Sequence, residues 1–435
     1  MNGRKLVVIG AGSAYTPEII DEVIRRNDRL QIGTIALVDI PEGRDRAEII
    51  LAMTRRMLAH AGIRCEAELT LDRRQALPGA DFVISQIRVG GWQARAEDER
   101  IGLKLGLIGQ ETTGCGGFMN AMRTVPEALA IARDMEALCP QAVLLNFTNP
   151  SGIVTEALLR HSTIRTIGLC NVPINMHADA AGAMGVKKEE IGCRFGGLNH
   201  LSFMLSARIG ERDVYGELLK KLRSDPTRMK NIPKVSGVNR LIDAIGLIPS
   251  PYLQYFYFEP EMLAKELQEL KEAGTTRGEQ VEAINRELFE IYAREETREK
   301  PPQLSQRGGS LYSYAAMDIL EACLSDAPWE MTVNTLNAGA IEGLDDDAGV
   351  EITCRVSSAG VERLPVGRLP RQVAGLVDLV KRYESLTVDA AVHGSRRLAL
   401  QALVCHPLVH GFCNAEKVIR EMEARKHCPM VWKED

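Results

Sequence analysis

Two side chains in the middle of the sequence could together bind a divalent metal ion. Cys170 lies in the segment Gly-Leu-Cys-Asn at 168–171, and His200 ends the segment Gly-Leu-Asn-His at 197–200. A thiolate and an imidazole suit a borderline divalent cation, and substrate oxygens can complete its coordination shell. Taken alone, each residue is more typical of a buried core position. Cys170 follows a predicted strand, however, and ligands of parallel sheets collect beyond the carboxyl ends of the strands. We therefore interpret the pair as a metal site.

The start of the chain carries a dinucleotide-binding pattern. Gly10 permits a tight turn after the first predicted strand, and Gly12, followed by Ser13, lets the backbone approach a pyrophosphate at a helix N-terminus. Tyr15 stands where the usual pattern has a third glycine. Asp39 ends the next predicted strand, where a carboxylate can accept from ribose hydroxyls, so the pattern favours NAD over its 2′-phosphorylated relative. The alternative is a glycine-rich turn of an unrelated α/β protein.

A nicotinamide and a metal ion on one chain indicate chemistry at a carbinol, because hydride can leave the carbon while the cation polarises the oxygen. Further polar segments follow predicted strands or stand between glycines. They contain Arg95 after the segment 87–91, Glu111 in the segment 108–114, and Asn149 in the segment 146–152. A tyrosine-rich segment at 249–258 contains Tyr252. The alternative is that the first two are surface turns and the tyrosine-rich segment is an aromatic core strand.

Short apolar stretches alternate with amphipathic helical patterns over the first 170 residues, which predicts repeated βαβ units and a parallel sheet. We predict strands at 6–9, 34–38, 82–87, 143–147 and 165–169, and helices starting at Thr16 and covering 124–138. After about residue 195 the pattern changes, and it predicts strands at 201–208 and 351–356 and helices at 316–324 and 373–386. The charged helical stretch 259–299 is predicted to be a solvated face.

The bulk composition limits the classes of protein to consider. A chain of 435 residues, of which 45% are apolar, predicts two packed lobes. We place an NAD-binding domain at 1–170 and a catalytic, substrate and oligomerisation domain at 171–435, interlocked because no low-complexity linker separates them. A net charge of −5 without a basic block argues against nucleic acid as a partner. The sequence contains no apolar run long enough to predict a membrane span, and its ten scattered cysteines favour a reducing cytoplasm.

Together these segments resemble glycoside hydrolase family 4, the NAD- and divalent-metal-dependent glycosidases, which are an exception to the two-carboxylate chemistry of most glycosidases. The resemblance rests on the segments 10–13, 88–91, 108–112, 146–150, 168–173, 197–200, 251–255, 307–310 and 334–341. Asn171 follows the cysteine, as in the 6-phospho-β-glucosidase branch, whereas α-acting relatives tend to carry Asp or His there. The acid proposed for some α-acting members is therefore absent, and the proton donor to the leaving group is unassigned.

The resemblance implies an α/β fold. An N-terminal Rossmann-like parallel sheet interlocks with an α+β C-terminal domain of the lactate/malate dehydrogenase type. It also implies a redox-assisted hydrolysis. NAD⁺ takes hydride from C3 of the sugar, a base removes the C2 proton, the aglycone leaves from C1, water adds, and the hydride returns. A metal ion, manganese as first choice, stabilises the intermediate and is held by Cys170 and His200.

The same resemblance assigns roles to other residues. Tyr252 is the C2 base, and Glu111 increases its basicity. Arg95 and Asn149 match substrate-contacting positions, and Arg277 matches a position that holds the sugar phosphate. A free phenol is a poor base at neutral pH, so Tyr252 needs a nearby cation. The implied substrate is a phosphorylated disaccharide or β-glucoside, and the implied assembly is a homodimer or homotetramer.

Three alternatives to a 6-phospho-β-glucosidase remain at this point. A family 4 glycosidase could act on an unphosphorylated, galacto-configured or uronic acid glycoside. An NAD-dependent 2-hydroxy acid dehydrogenase shares the Rossmann half but would accumulate NADH with substrate consumed. A non-catalytic sugar-phosphate or NAD sensor could keep the fold without needing the full set of Cys170, His200, Tyr252 and Glu111.

Overall fold

The computed structural model describes residues 3–224, 235–306 and 311–433. The described strands are β1 (Arg4–Ile9), β2 (Ile32–Val38), β3 (Glu66–Thr70), β4 (Phe82–Ser85), β5 (Val143–Asn146), β6 (Arg165–Gly168), β7 (Ile191–Leu198), β8 (Leu201–Ile209), β9 (Arg212–Asp213), β10 (Ile248–Pro249), β11 (Trp329–Leu336), β12 (Gly349–Ser357) and β13 (Gly360–Arg363).

The α-helices of the same residues are α1 (Thr16–Leu30), α2 (Arg44–His60), α3 (Arg73–Ala76), α4 (Gly91–Lys104), α5 (Gly114–Leu138), α6 (Ser151–His161), α7 (Asn171–Met184), α8 (Tyr215–Ser224), α9 (Val238–Ile245), α10 (Gln254–Tyr257), α11 (Glu259–Ala273), α12 (Arg277–Ala293), α13 (Tyr312–Cys323), α14 (Arg371–His393), α15 (Arg396–Cys405) and α16 (Phe412–Ala424).

The first six strands form the parallel half of a nine-stranded sheet, in the order β3-β2-β1-β4-β5-β6. The chain runs outward from β1 in both directions, which opens a crevice beyond the carboxyl ends of β1 and β4. The loops that follow these strand ends carry Gly10, Asp39, Arg88, Asn149 and Cys170. The prediction of a parallel sheet is confirmed, and the sheet gathers these predicted site segments at one edge.

The sheet continues with strands from the second half of the chain. β11 pairs antiparallel with β6 through Asn334 and Gly168, and β12 and β13 extend the sheet. A second, smaller antiparallel sheet contains β7, β8, β9 and β10, which confirms the antiparallel strand predicted at 201–208. One buried apolar cluster includes Val7 of β1, Ile352 of β12 and Val377 of α14, so both halves of the chain share a core. The domain boundary at residue 170 stays a prediction.

Two expectations of local structure need correction. The alternative of an aromatic core strand at 249–258 is wrong: after Pro249, which ends β10, the segment forms a 3₁₀ turn at Pro251–Leu253 and the short helix α10, and Ser250 caps the turn by accepting from the Tyr252 N–H. The stretch 259–299 is helical as predicted, but it is not only a solvated face. Residues of α11 and α12 line the central cavity, including Glu266, Arg277 and Asn285.

Other elements match the predictions with shifted ends. α1 begins at Thr16, with Pro17 in its first turn. α5 begins at Gly114 instead of residue 124, and β4 ends at Ser85. Among the described residues, no helix combines the length and apolar character needed to cross a membrane.

Candidate active site

A cavity of about 1290 Å³ opens at the carboxyl edge of the parallel sheet. Its walls contain predicted site residues from widely separated parts of the chain, namely Gly10, Gly12, Ser13, Asp39, Arg95, Glu111, Asn149, His200, Tyr252 and Arg277. Cys170 does not line the cavity, because its side chain is buried behind the wall and only 2% exposed. The segment 307–310, used for the family resemblance, lies outside the described residues.

The nucleotide end of the cavity is formed by the turn after β1. Gly10 has a φ of +84°, which favours glycine, and a Cβ there would lie 2.9 Å from the carbonyl oxygen of Gln86. The Gly12 N–H donates to the Asp39 carboxylate over 2.5 Å. A Cβ on Gly12 would lie 2.8 Å from that carboxylate, so both glycines are needed for a backbone surface close enough to receive a dinucleotide.

The Asp39 carboxylate packs closely between Gly12 and Gly43. A Cβ at Gly43 would lie 2.2 Å from Asp39 Oδ1, and the Ile40 N–H donates to the same oxygen. Burial raises the pKa of Asp39, while the hydrogen bonds from Gly12 and Ile40 oppose the rise. The carboxylate is thus held in one orientation at the cavity wall, where it can accept hydrogen bonds from a ribose.

His200 is held in the tautomer that a metal ligand needs. The Thr112 backbone N–H and hydroxyl both donate to Gln110 Oε1, at 2.7 and 2.9 Å. The hydroxyl proton is therefore used, and Thr112 Oγ1 must accept from His200 Nδ1 at 3.0 Å. This assignment leaves the lone pair on Nε2, and second-shell partners of metal-binding histidines commonly fix the tautomer in this way. Burial lowers the pKa of His200 to about 3, so the ring is neutral at physiological pH.

Tyr252 stacks directly on His200. Their ring centroids are 3.7 Å apart, and the ring planes differ by 7°. Burial raises the pKa of the Tyr252 phenol above its ordinary value, Cys170 and Glu111 raise it further, and Arg95 opposes the rise. The phenol is therefore protonated unless another positive charge is placed beside it.

Cys170 lies where α7 begins, and its Sγ accepts from the Val172 N–H at 3.4 Å. Burial and the neighbouring Glu351 raise the pKa of the thiol well above its ordinary value. Glu351 is itself buried, which raises its pKa to about 7. It also accepts from Asn199, the residue before His200, at 3.0 Å. Glu351 therefore lies beside Cys170 and is also hydrogen-bonded to the residue that precedes His200.

Cys170 and His200 supply only part of the coordination shell of a divalent metal ion. A sulfur and an imidazole nitrogen are ligands that borderline cations such as manganese, iron, cobalt or nickel accept. Within the described part of the chain, no group of three or more His, Cys, Asp or Glu side chains could hold a metal ion. A metal ion at Cys170 and His200 would therefore need further oxygen ligands that are not Asp or Glu side chains, such as substrate oxygens.

Glu111 lies between two guanidinium groups. Its Oε2 atom is 2.6 Å from Arg88 Nη1 and 3.0 Å from Arg95 Nη1. Both arginines also lie over the ring of Trp92, at 4.5 and 5.3 Å. Arg95 is nearly completely buried and forms a second ion pair, with Glu99, at 2.8 Å. The orientation of Glu111 is therefore fixed from two sides.

Arg277 begins α12 and differs from Arg95 in its electrostatic surroundings. Within the described residues no carboxylate lies within ion-pair distance of its guanidinium, whose recorded partner is Gln280 at 3.5 Å. Burial and the nearby Arg95 lower its pKa, but an arginine so shifted is still a cation. Glu99 accepts from the Gly278 N–H at 2.8 Å and so joins α4 to the start of α12. Arg277 is therefore a cation of the cavity wall whose charge is available to an anionic ligand.

Several residues of the site were missed in the sequence analysis. Thr112 and Glu351 act on the predicted ligands, and Arg88, Trp92 and Glu99 hold Glu111 and Arg95. Arg88 could have been identified, because it directly follows the strand predicted at 82–87 and belongs to the polar segment 87–91. Glu351 could not, because it lies within a strand remote in sequence from Cys170, and only folding brings them together.

The chain matches known proteins over nearly its whole length. Residues 5–186 match the model of the family 4 glycosyl hydrolases, and residues 195–409 match the model of their C-terminal domain. A probable 6-phospho-beta-glucosidase of Bacillus subtilis is 43% identical over 429 residues, which cover 98% of this chain and 97% of that protein.

Solved structures agree with these matches. The 6-phospho-beta glucosidase of Thermotoga maritima, determined with manganese, NAD⁺ and glucose-6-phosphate, has a TM-score of 0.86 and 33% identity, and covers 97% of this chain and 98% of its own. Malate dehydrogenase of Plasmodium falciparum matches with a TM-score of 0.55 at 10% identity, covering 89% of this chain and 99% of its own, and this likeness concerns the fold alone. The predicted α/β class with a dehydrogenase-like architecture is confirmed.

Proposed function

This chain belongs to family 4 of the glycosyl hydrolases, and we propose that it hydrolyses 6-phospho-β-glucosides with NAD and a divalent metal ion, manganese first, as cofactors. One observation carries this proposal. A single cavity is lined by the dinucleotide turn, by the Tyr252–His200 stack and by Arg277. Cofactor, reacting carbons and a sugar phosphate can thus be held together.

Each proposed cofactor has residues suited to bind it. The turn with Gly10, Gly12 and Ser13 would receive the pyrophosphate, and Asp39 would accept from a ribose. Cys170 and His200 would hold the metal ion, with substrate oxygens filling its shell. When bound, NAD⁺ would accept the C3 hydride and later return it, and the metal would polarise the sugar oxygens.

We assign Tyr252 as the base that removes the C2 proton. The phenol lies in the cavity wall against His200, and it becomes a competent base only when a cation offsets the burial that raises its pKa. Glu111 would accept a hydrogen bond or a proton in the same network, held in place by Arg88 and Arg95. Arg95 and Asn149 would orient the sugar from the cavity wall.

Arg277 would grip the 6-phosphate. Among the described residues, its guanidinium has no carboxylate partner at ion-pair distance, unlike Arg95 with Glu99 and Glu111, so its charge is available to a dianion. A planar guanidinium can bind phosphate through two parallel hydrogen bonds. This favours a sugar that carries an anionic group, such as a phosphate, over a neutral glycoside.

The cellular setting and assembly are part of the proposal. All ten cysteines are free thiols, which suits a reducing cytoplasm and a thiolate ligand at Cys170. We propose a homodimer or homotetramer, and the C-terminal helices that expose Leu379, Val404 and Phe412 are the surface we expect it to cover. Light scattering of the purified protein would measure its assembly.

The proposed function is tested by nitrophenyl release from matched phosphorylated and unphosphorylated β-glucosides, with and without manganese, NAD and thiol. We expect release only from the 6-phosphorylated β-glucoside, and only with both cofactors present. Equal release from the unphosphorylated glucoside would favour another family 4 substrate. NADH accumulating in proportion to substrate consumed would favour the dehydrogenase alternative, and binding without turnover would favour a sensor.

A further inference from the structure

The segment after α16 lies against the outside of the loop that carries Arg88, and it lies beyond the residues matched by the family models, which end at 409. A Cβ at Gly90 would lie 2.7 Å from Cys428 Sγ, so Cys428 packs directly on the loop backbone. The His427 N–H donates to Glu97 on α4 at 2.9 Å, which fixes the segment at a second point. We name residues 425–428 the C-terminal strap.

The strap is anchored by a buried chain of charges. Arg425 Nη1 is 3.0 Å from Asp98 Oδ1, and its Nε donates to the Cys428 carbonyl oxygen at 2.5 Å. Asp98 Oδ2 is 2.6 Å from Arg123 Nη2. The side chains of Arg425 and Asp98 are each 1% exposed, and that of Arg123 is 5% exposed. Because a buried charge without its partner is strongly destabilising, these three groups hold one another in fixed positions.

The series of ion pairs from Arg425 through Asp98 to Arg123 ends at the loop that carries Arg88. Arg123 Nε donates to the Val89 carbonyl oxygen at 2.9 Å, in the residue directly after Arg88. Three residues earlier on the same helix, Asn120 donates to the Glu111 carbonyl oxygen at 3.3 Å. One turn of α5 thus supports the backbone beside both partners of the Arg88–Glu111 ion pair. Asp98 also lies one helical turn from Arg95, the second cation on Glu111.

We propose that Arg425 is a positioning residue for the Arg88–Glu111 pair, acting through Asp98, Arg123 and the Val89 carbonyl. This inference rests on the proposed function, in which Glu111 supports Tyr252 at the C2 proton. Without Arg425, Asp98 keeps one cation, Arg123 can turn toward it, and the Val89 carbonyl loses a fixed donor. Because displacements of about 1 Å at a reacting group can cost about a hundredfold in rate, the loss falls on deprotonation more than on binding.

The test compares Arg425→Met and Arg425→Lys with the control Arg420→Met in enzyme loaded with manganese and NAD. Arg420 is on α16, its side chain is 68% exposed, and among the described residues its ion pair is the i,i+4 contact with Glu416. We expect Arg425→Met to lower kcat and the exchange of the C2 proton with D₂O, followed by NMR, by about ten- to a hundredfold. KM and the Kd for NAD should stay near wild type, Arg425→Lys should restore part of the rate, and Arg420→Met should match wild type.

A double mutant tests the route. In an Arg88→Met background, adding Arg425→Met should lower kcat no further, because both changes act on one ion pair. Wild-type C2 exchange in Arg425→Met would overturn the positioning role. So would losses of rate and NAD affinity that simply follow the folded fraction in thermal unfolding, or failure of both Arg425 variants to fold, which would make Arg425 a folding residue. Absence of C2 exchange in the wild-type enzyme would instead overturn the proposed function, and the positioning role with it.

Discussion

The two ends of the cavity are constructed differently. The nucleotide end is formed mainly by backbone groups and one carboxylate near the start of the chain, packed closely at Gly10, Gly12 and Gly43. The sugar end consists of side chains from separate segments, joined by ion pairs and hydrogen bonds among Arg88, Arg95, Glu99, Glu111, Thr112, His200 and Arg277.

This difference has a consequence for mutational effects. At the nucleotide end, a substitution matters through the space it takes from the backbone, and its effect should stay local. At the sugar end, each side chain also orients its neighbours, so substitutions there should be strongly non-additive. Single variants at each end, each compared with a matched control, can test this contrast.

The largest effect is expected for Tyr252→Phe. Removing the phenol oxygen removes the proposed base, so kcat and C2 proton exchange should fall by about 10²- to 10⁴-fold while NAD affinity is unchanged. NMR of the C2 proton in D₂O and calorimetric titration of NAD measure the two quantities. Tyr257→Phe is the control, because Tyr257 is on the same segment but does not line the cavity. Normal exchange in Tyr252→Phe would move the base to another residue.

Arg277→Met should raise KM for a 6-phosphorylated glucoside by about ten- to a hundredfold, as expected for losing hydrogen bonds to a charged group. Binding of NAD should not change. Arg286→Met is the matched control, because Arg286 is exposed on the same helix. An equal rise in KM for both variants would show that Arg277 does not contact the phosphate.

Thr112→Val should weaken manganese binding about ten- to a hundredfold, the usual cost of losing a second-shell partner of a metal-binding histidine. Valine cannot accept from His200 Nδ1, so the imidazole can rotate or change tautomer. Thr112→Ser keeps the hydroxyl and should restore most of the affinity, measured by titration with manganese. Wild-type affinity in the valine variant would contradict the tautomer assignment.

Gly12→Ala should give the smallest of these effects, a loss of NAD affinity of about tenfold. The added Cβ would lie 2.8 Å from Asp39 Oδ2 and disturb the hydrogen bond between the Gly12 N–H and that carboxylate. Metal affinity and substrate KM should change little. Gly182→Ala is the control, because nothing lies within 4 Å of a Cβ there. A comparable loss of metal affinity in Gly12→Ala would show that the two ends of the cavity are not independent.

The parts of the molecule that could be predicted from the sequence are those in which the signal is local. Continuous apolar strands, a glycine turn before Thr16-Pro17 and the alternation of strand and helix patterns predicted the parallel sheet and its functional edge. Polar residues directly after these strands, such as Arg88, Asn149 and Cys170, had to share one edge for the same reason.

The rest depended on contacts that no local pattern encodes. The charged composition of 259–299 indicated solvent exposure, yet Glu282 pairs with Arg46 at 2.5 Å and Tyr292, fully buried, donates to the Ala14 carbonyl at the dinucleotide turn. These contacts join residues more than two hundred positions apart. Likewise, Glu351, Arg425 and Asp98 are ordinary charged residues in sequence, and only tertiary packing gives each its partner.

The junction between the parallel and antiparallel parts of the large sheet limits how the chain can be divided. β6 meets β11 through the single pair Gly168 and Asn334, two residues before Cys170. A fragment ending at residue 170 would lose this partner strand and leave the outer edge of β6, whose residues 166–168 are buried in the full chain, open to solvent. Such an open edge templates pairing with other chains, so the isolated N-terminal fragment should self-associate instead of serving as a free-standing nucleotide-binding module.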